Sequence, residues 1–255
     1  MTHGKKLKPR VPLERALSKL GVASRAQARL LIEGGRVKVH GSVQTNPLFS
    51  VTPESAAITL DGRAVKPHER IVLMLNKPRG ALTTRNDEKG RRTVFEFVPE
   101  EFRDEGHLHA VGRLDLATTG LLLLTNDTRL SAWLTDPETA IERTYLVTVR
   151  GEVTEQEVAR IKSGISSEVG MIAAARAEIR KASLRESHLL VTLTEGKNRE
   201  IRRLCEAVGH EVTALKRVSY GKLELGELEP GSVRVVDERE LLAAFSKMPR
   251  STTLR

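Results

Sequence analysis

One acidic residue stands shortly before a run of four leucines. In the stretch GRLDLATTGLLLLTND, Gly112–Asp127, Asp115 follows an arginine-leucine pair and precedes two threonines and a glycine. The leucines followed by TND predict a buried strand that ends in a turn, and Gly112 and Gly120 allow the preceding loop to bend tightly. Asp115 is therefore predicted on a loop held by rigid structure, where an aspartate serves either catalysis or turn formation.

A second set of candidate residues follows the spacing of a helix in NREIRRLCEAVG. Asn198 is a natural N-cap, and Arg202 flanks the apolar stripe, so Arg202 either reaches a cleft or pairs with Glu206 one turn later. Cys205 is predicted to be a small core residue rather than a nucleophile. The stripe consists of Ile201, Leu204, Cys205 and Val208.

Tyr145 alternates with Val147 and Val149, so its side chain is predicted on the buried face of a strand. Aromatic residues make up only 3% of the chain, too few for the stacking platforms that bind extended single strands. If the ligand is a nucleic acid, a single aromatic contact to one extruded base is the better expectation.

The composition is that of an ordinary globular protein, with 39% hydrophobic and 29% charged residues in 255. No apolar run approaches the roughly 18 residues of a membrane span. KKLKPR near the start is followed by the charged segment PLERALSKL, so no secretory signal is predicted. A single cysteine, Cys205, forms no internal disulfide, and the expected location is the cytoplasm.

The positive charge is concentrated in the first quarter of the chain. Of the net charge of +9, residues 1–70 supply +8, from 13 Lys and Arg against 5 Asp and Glu. Such asymmetry indicates a polyanionic partner, because Lys and Arg bind nucleic acids by neutralising phosphates.

This basic segment predicts two helices and a strand, each with a cationic face. VPLERALSKLG forms the first helix, and SRAQARLLIEGG forms the second, with Ser24 and Gln27 as a capping box. RVKVHG alternates Val37 and Val39 with basic residues, the period of a half-buried strand. The cationic side chains on these three faces are Arg15, Lys19, Arg25, Arg29, Arg36 and Lys38.

At Ile71 the sequence pattern changes. IVLMLNKPRG predicts an apolar strand followed by a turn, and these elements begin a second domain after the linker PHER, residues 67–70. Further strands are predicted at 121–125, 145–149, 188–193, 212–218 and 232–236, and helices at 128–134, 155–162, 198–208 and 238–245. The elements do not alternate strictly, which favours an α+β fold with a mixed or antiparallel sheet.

Metal ligation is not predicted. His107 and His109 alternate on a short extended piece, without a cysteine cluster or an HExxH helix, so structural or surface roles are expected.

The N-terminal segment resembles the S4 RNA-binding domain. The resemblance covers about residues 11–51 and is carried by SRAQA at Ser24–Ala28 and GRVKVHG at Gly35–Gly41, with His40 where the family usually has Asn. It implies that the basic side chains named above grip an RNA helix through its phosphates.

VGRLDLATTGLLLLTND, from Val111, resembles the signature loop of RNA pseudouridine synthases, especially the branch that modifies ribosomal RNA and carries an S4 domain. LNKPRG at 75–80, ERTYLVTVRG at 142–151 and EGKNREIRRLCEAVGHEVTALKRVSYGKLEL at 195–225 are similar to that branch's other motifs, in order. Arg143 stands where Lys is common, and Leu116 and Ala117 replace the frequent aromatic and polar residues.

The resemblance implies a role for each matching residue. Asp115 is the catalytic residue, Tyr145 packs against the target base, Arg202 is the partner of Asp115, and Leu215 is part of the pocket wall. Lys77 and Arg79, with Arg113, are expected to touch the RNA backbone.

The chemistry needs one ionised carboxylate, which acts either as a nucleophile or as a base toward the sugar. Asp115 would have to stay charged in a water-poor site. An opposite charge within about 4 to 6 Å lowers a carboxylate pKa by roughly 1 to 3 units, and Arg202 can supply that charge.

The sequence as a whole predicts an α+β fold. A small N-terminal S4 domain is followed by a pseudouridine synthase domain with a mixed, mainly antiparallel sheet flanked by helices. The expected divisions are a basic disordered arm at 1–10, the S4 domain and linker at 11–70, the catalytic domain at 71–245 and a flexible tail at 246–255.

The expected function is the isomerisation of one uridine in ribosomal RNA, within a stem-loop or distorted helix, by a monomer that uses no cofactor and no metal and binds no membrane. A noncatalytic S4-type RNA-binding or ribosome-assembly factor is the alternative. A nucleoside or glycoside hydrolase is disfavoured because most glycosidases need two carboxylates. No second acidic residue has a setting like that of Asp115, and Asp127 is predicted to be a turn residue.

Overall fold

The computed structural model describes residues 10–53, 55–65, 69–103, 108–168 and 170–249. The basic arm expected at 1–10 therefore lies outside the described residues except for Arg10. Pro67 and His68 of the PHER linker, His107 and residues 250–255 of the expected tail also lie outside them.

The first elements form a unit with its own apolar core. Their bounds are β1 Val11–Pro12, α1 Leu13–Lys19, α2 Arg25–Glu33, β2 Val37–Val39, β3 Ser42–Val43, β4 Ser50–Val51, β5 Ile58–Leu60 and β6 Arg63–Ala64. β1 pairs with β4, and the order β3-β2-β5-β6 is antiparallel throughout. The predicted capping box is present: the Gln27 amide donates to Ser24 Oγ, and the Ser24 amide donates to Gln27 Oε1.

The remaining elements build a nine-stranded sheet with helices on both faces and one separate hairpin. Their bounds are β7 Val72–Lys77, β8 His109–Ala110, β9 Thr119–Thr125, α3 Thr128–Thr135, β10 Arg143–Arg150, α4 Glu155–Ser163, β11 Ile165–Ser167, β12 Gly170–Ile172, β13 Arg176–Ala182, β14 Glu186–Leu193, α5 Glu200–Ala207, β15 Val212–Tyr220, β16 Leu223–Glu224, β17 Val233–Val235 and α6 Glu238–Ala244. Short 3-10 turns occupy Val94–Phe97, Glu100–Phe102 and Pro137–Thr139.

The large sheet runs in the order β13-β14-β10-β15-β9-β7-β17, with β16 beside β15 and β8 beside β9. β15 and β9 are parallel, and the other pairs are antiparallel. This confirms the predicted α+β fold with a mixed, mainly antiparallel sheet. The sequence pattern does not reveal β13, because its Arg, Glu and Lys residues form an exposed edge with only one buried side chain, Ala177.

The leucine run is continuous because β9 is buried on both faces. Leu122 and Leu124 belong to the core beneath α4 and α5, whereas Leu121 and Leu123 belong to the core beneath α3 and α6. β7 divides its side chains in the same way. A strand covered on both sides needs no polar alternation. The loop that carries Asp115 is therefore attached to the most deeply buried part of the sheet.

The two ends of the second domain differ from the sequence expectations. Arg70, placed in the predicted linker, is almost fully buried and forms salt bridges with Asp127 at 2.8 Å and Glu238 at 3.3 Å. Arg70 Nη2 also donates to the Pro249 carbonyl, and Met248 is buried, so Met248 and Pro249 of the expected tail are packed against the domain. Asp127 is the N-cap of α3, in keeping with its predicted structural role.

Helix α5 also begins later than predicted. Its N-cap is Arg199, in the left-handed conformation with φ 51°, and no side chain caps it. Asn198 is thus not the N-cap. The left-handed residue turns the chain immediately before the helix, and the Glu200 carboxylate accepts the Lys197 amide instead.

Gly120 is the tightest point of the parallel contact between β9 and β15. Its φ is +98°, and a Cβ would lie 2.2 Å from the Arg217 carbonyl oxygen. We expect Gly120→Ala to lower the free energy of unfolding by roughly 3 to 5 kcal/mol, from backbone strain and overpacking together. Gly90→Ala is the matched control, because Gly90 has φ +66° but open space around it, and about 1 to 2 kcal/mol is expected there. Equal losses in urea denaturation would contradict this account of the contact.

Candidate active site

A cleft of about 360 Å³ lies where the loop before β9, strand β10 and the start of α5 meet. We call it the Asp115 cleft. The structure brings together here the three residues predicted to be catalytic and the predicted wall residue Leu215, although they come from distant parts of the chain. The side chains that matter below are Arg113, Asp115, Tyr145, Glu200, Arg202 and Leu215.

The loop that carries Asp115 is held through its backbone. Lys77, the last residue of β7, donates from Nζ to the carbonyl oxygens of Pro78 at 3.2 Å, Asp115 at 3.1 Å and Thr118 at 2.8 Å. The Thr118 amide closes the turn onto the Asp115 carbonyl, and the Gly80 amide donates to Leu116. The Asp115 side chain is left exposed at the cleft. The fixed backbone and exposed carboxylate suit a group that acts on a bound molecule.

Lys77 is fully buried, with 0% of its surface exposed, and its three donors are satisfied by carbonyl oxygens. The expectation that it touches an RNA backbone is therefore wrong: the lysine stabilises the loop from inside. Burial lowers the pKa of Lys77 to about 8, an effect that the nearby Asp115 carboxylate partly opposes. Arg79 and Arg113 are exposed, so both remain available to a ligand.

Arg202 and Asp115 line the same cleft but form no salt bridge within the described part of the chain. The Arg202 guanidinium donates from Nη1 to the Val212 carbonyl at 3.1 Å instead. Arg202 is half-buried, and the exposed Asp115 does not lie in the water-poor environment that the sequence analysis expected. The direct ion pair is thus absent from this structure. Arg202 is held at the cleft wall by this hydrogen bond to Val212.

Tyr145 and Leu215 form the apolar wall of the cleft, on neighbouring strands β10 and β15. Both are buried to more than nine-tenths, as the alternation of β10 predicted for the tyrosine. Cys205 lies in the core under α5, and burial raises the pKa of its thiol to about 12, which agrees with a structural role.

Glu200 is a cleft residue that the sequence analysis does not include. It is 2% exposed, its Oε2 accepts the Lys197 amide at 3.0 Å, and its Oε1 has no partner in the described structure. Burial is the main cause that raises its pKa to about 7. The sequence feature that could have predicted this burial is the helical spacing, because Glu200 stands one turn before Leu204 on the apolar stripe. The expectation that no second acidic residue shares the setting of Asp115 is corrected accordingly.

The predicted basic surface of the N-terminal unit divides into paired and unpaired charges. Arg29 forms a salt bridge with Glu14 at 3.1 Å, and Arg36 forms a two-pronged one with Asp61. Arg15, Arg25 and Lys38 are exposed and take part in no salt bridge of the described residues. Lys19, at the end of α1, is partly buried.

The described residues contain neither a candidate metal site nor a membrane-spanning helix. No group of three or more His, Cys, Asp or Glu side chains there is placed to hold a metal ion. Every helix there is too short or too polar to span a membrane.

Comparison with known proteins connects this geometry to a family. The family model for RNA pseudouridylate synthase matches residues 71–207, which include Asp115, Tyr145 and Arg202. The chain belongs to the RNA pseudouridylate synthase family. The S4 domain model matches residues 11–56, within the first 70 residues that supply +8 of the net charge of +9. Membership in a family of enzymes favours catalysis over the noncatalytic alternative.

The named relatives match nearly the whole length of this chain. Ribosomal large subunit pseudouridine synthase B of Bacillus subtilis is 37% identical over 234 residues, covering 90% of this chain and 93% of that protein. The protein of the same name from Pseudomonas aeruginosa is 41% identical, and the match covers 91% of this chain and 62% of that protein. A crystal structure of a pseudouridylate synthase, 28% identical, superposes with a TM-score of 0.63 over 91% of this chain and 98% of that one.

We predict that Lys77→Met loosens the loop around Asp115. Three donors of a charged group are removed, at a cost of about 1.5 to 3 kcal/mol for a hydrogen bond to a charged group. Hydrogen exchange of the Thr118 amide should accelerate by roughly 10- to 100-fold. Arg79→Met removes an exposed cation two residues away and should leave that exchange unchanged. A protected Thr118 amide in Lys77→Met would show that the lysine does not hold the loop.

The raised pKa of Glu200 predicts a pH-dependent stability. Its folded-state pKa of about 7 exceeds the ordinary value of 4.5, so the folded state binds the proton more tightly. The corresponding stability is complete below about pH 4.5 and is lost as pH rises to about 7. Between about pH 4.5 and pH 7 we expect the free energy of unfolding of wild type to fall by about 1 to 3 kcal/mol relative to that of Glu200→Gln.

The control for this measurement is Glu206→Gln, which removes an exposed carboxylate from the same helix. It should keep the wild-type pH profile in denaturant titrations. Parallel profiles for Glu200→Gln and wild type would mean that Glu200 does not take up a proton in this range.

Proposed function

We propose that this enzyme isomerises a uridine in ribosomal RNA to pseudouridine, with Asp115 as the one catalytic carboxylate and with no cofactor. Family membership supports the reaction class, and the names of the relatives support ribosomal RNA as the substrate. The observation that carries the residue assignment is the Asp115 cleft, which an exposed carboxylate on a fixed backbone lines together with Tyr145, Arg202 and Leu215.

The reaction requires no oxidant and no energy input. The N1–C1′ bond of uridine breaks, the base rotates, and a C5–C1′ bond forms. The proton on C5 is lost and N1 gains one, so product and substrate are isomers. Asp115 would act on the sugar as nucleophile or base, and either role needs only one ionised carboxylate. The exposed position of Asp115 leaves it accessible to a nucleotide that has left its stack.

The other cleft residues fit this reaction. The Tyr145 ring offers a face for one extruded base, and Leu215 extends the same wall. Arg202 is half-buried beside them, and its guanidinium can stabilise negative charge near Asp115 once RNA excludes water from the cleft. Arg113 and Arg79 are exposed near the loop and would contact phosphates or sugars.

The S4 domain would bind the RNA helix through Arg15, Arg25 and Lys38. These side chains are exposed and carry no described salt bridge, so their charge is available to phosphates. Arg29 and Arg36, which are paired with Glu14 and Asp61, would contribute less. A bound helix would bring a loop or distorted segment to the Asp115 cleft.

Asp115→Asn should keep the fold and the RNA affinity of the protein, because the side chain is exposed and makes no described hydrogen bond. It should abolish release of tritium from 5-tritiated uridine in ribosomal RNA transcripts, since the ionisable carboxylate is gone. Leu116→Asn is a suitable control, because it changes the adjacent exposed side chain. Tritium release by Asp115→Asn at a rate near that of wild type would refute the assignment.

Neutralising unpaired cations of the S4 domain should flatten the salt dependence of RNA binding. For the double variant Arg25→Gln, Lys38→Gln we expect the slope of log Kd against log salt to fall by about 1 for each phosphate that the protein no longer neutralises. Arg36→Gln is the control, because its charge is already compensated by Asp61, and its slope should change less. An unchanged slope in the double variant would mean that this surface does not grip the RNA.

A further inference from the structure

A second pocket, of about 350 Å³, adjoins the Asp115 cleft and has a strongly cationic lining. We call it the arginine pocket. It shares Arg113, Tyr145 and Lys197 with the cleft, so Tyr145 contacts both spaces. The side chains that determine its chemistry are Arg113, Arg143, Tyr145, Lys197, Arg217 and Tyr220.

Two arginines of this pocket are buried without an acidic partner. Arg143 is 6% exposed and Arg217 is 2% exposed, and neither takes part in a salt bridge of the described residues. Arg143 donates to the carbonyls of Leu134 and Thr194 and to the Tyr220 hydroxyl. Arg217 donates from Nε to the Leu121 carbonyl at 2.6 Å, while its Nη2 has no described partner.

The Tyr220 ring is close to both guanidinium groups, with its centroid 5.0 Å from Arg143 Cζ and 5.1 Å from Arg217 Cζ. Cation–π contacts and neutral carbonyls stabilise a buried charge only in part. A buried charge that lacks a counter-charge is unfavourable, and an arginine with a spare donor favours an anion.

The one carboxylate among the pocket-lining residues does not supply that counter-charge. Glu195 is paired with Lys197, with 2.7 Å between Oε1 and Nζ. Arg113 adds an exposed cation at the side shared with the cleft. The pocket therefore presents excess positive charge beside the place where the target nucleotide would sit.

We propose that the arginine pocket binds a phosphodiester group of the RNA strand, next to the nucleotide held in the Asp115 cleft. This inference rests on the proposed function, because it assumes that RNA fills the cleft. The phosphates of a nucleotide are attached directly to its ribose, so a phosphate held by Arg217 and Arg143 would fix the sugar relative to Asp115. The planar guanidinium matches phosphate oxygens in geometry as well as in charge.

The first test changes the RNA and leaves the protein intact. Stem-loop RNAs carry a single neutral methylphosphonate at successive positions around the target uridine, and affinity is measured by fluorescence anisotropy with full-length wild type. We expect one position beside the uridine to lose about 10- to 100-fold in affinity, the effect of a hydrogen bond to a charged group. A series in which no such position stands out would overturn the proposal.

The second test asks whether Arg217 reads that phosphate. Arg217→Gln should bind the unmodified RNA more weakly than wild type does. It should lose no further affinity when the sensitive phosphate is replaced by the neutral methylphosphonate. Arg234→Gln is the matched control, because Arg234 is an arginine paired with Glu240 outside the pocket, and it should discriminate as wild type does. Full discrimination by Arg217→Gln would assign the arginine a structural role only. If Arg217→Gln does not fold, the wild-type series decides alone.

Free phosphate is the other source of the same chemistry. Inorganic phosphate at constant ionic strength should compete with the unmodified RNA and compete less with the RNA neutralised at the sensitive position. If phosphate instead raises the melting temperature of wild type but not of Arg217→Gln, while every methylphosphonate RNA binds normally, the ligand is a free anion and the RNA proposal fails.

These assays measure binding and do not need turnover. A wild-type enzyme that releases no tritium yet discriminates one phosphate would contradict the proposed function and support the pocket. Normal tritium release without any phosphate discrimination would support the proposed function and contradict the proposal for the arginine pocket.

Discussion

The parallel pairing of β9 with β15 is the contact on which the Asp115 cleft depends. Thr119 and Gly120 lie against Lys216 and Arg217, nearly one hundred residues later in the chain. β9 carries the loop of Asp115 at its start, and β15 carries Leu215 and follows directly after α5, which holds Arg202. The contact tolerates no side chain at position 120, because the Arg217 backbone occupies that space. One close backbone approach therefore joins the two halves of the sheet and assembles the cleft.

Buried cations are the second organising feature around the cleft. Lys77 holds the Asp115 loop through three carbonyl oxygens, and Arg143 and Arg217 both make cation–π contacts with the Tyr220 ring in the adjoining arginine pocket. None of these three groups forms a salt bridge with a carboxylate of the described residues. Charges of this kind are stabilised by carbonyl dipoles and an aromatic face, which leaves the surroundings of the cleft electropositive. Such a site suits an anionic polymer whose reacting group is itself uncharged.

Local patterns in the sequence predict much of the fold. The capping box at Ser24, the alternation around Tyr145 and the doubly buried leucines of β9 each depend on near neighbours, and each is present as predicted. The failures concern contacts between distant segments. Lys77 is expected at a surface, Arg70 in a linker and Asn198 at a helix cap, yet each position is decided by tertiary partners that periodicity does not reveal. The cleft itself is predicted only through the motifs of a family, while Glu200 and Arg217 escape prediction because a charged residue on an apolar stripe or strand is ordinarily exposed.

The most direct measurement for the central claim is a crystal structure of Asp115→Asn bound to a ribosomal RNA stem-loop that this protein modifies. The account predicts that one uridine has left its stack, that its base lies against Tyr145 and Leu215, and that its C1′ lies in contact with the side chain at position 115. A target nucleotide bound outside this cleft, or a loop at position 115 that stays open to bulk water in the complex, would contradict it.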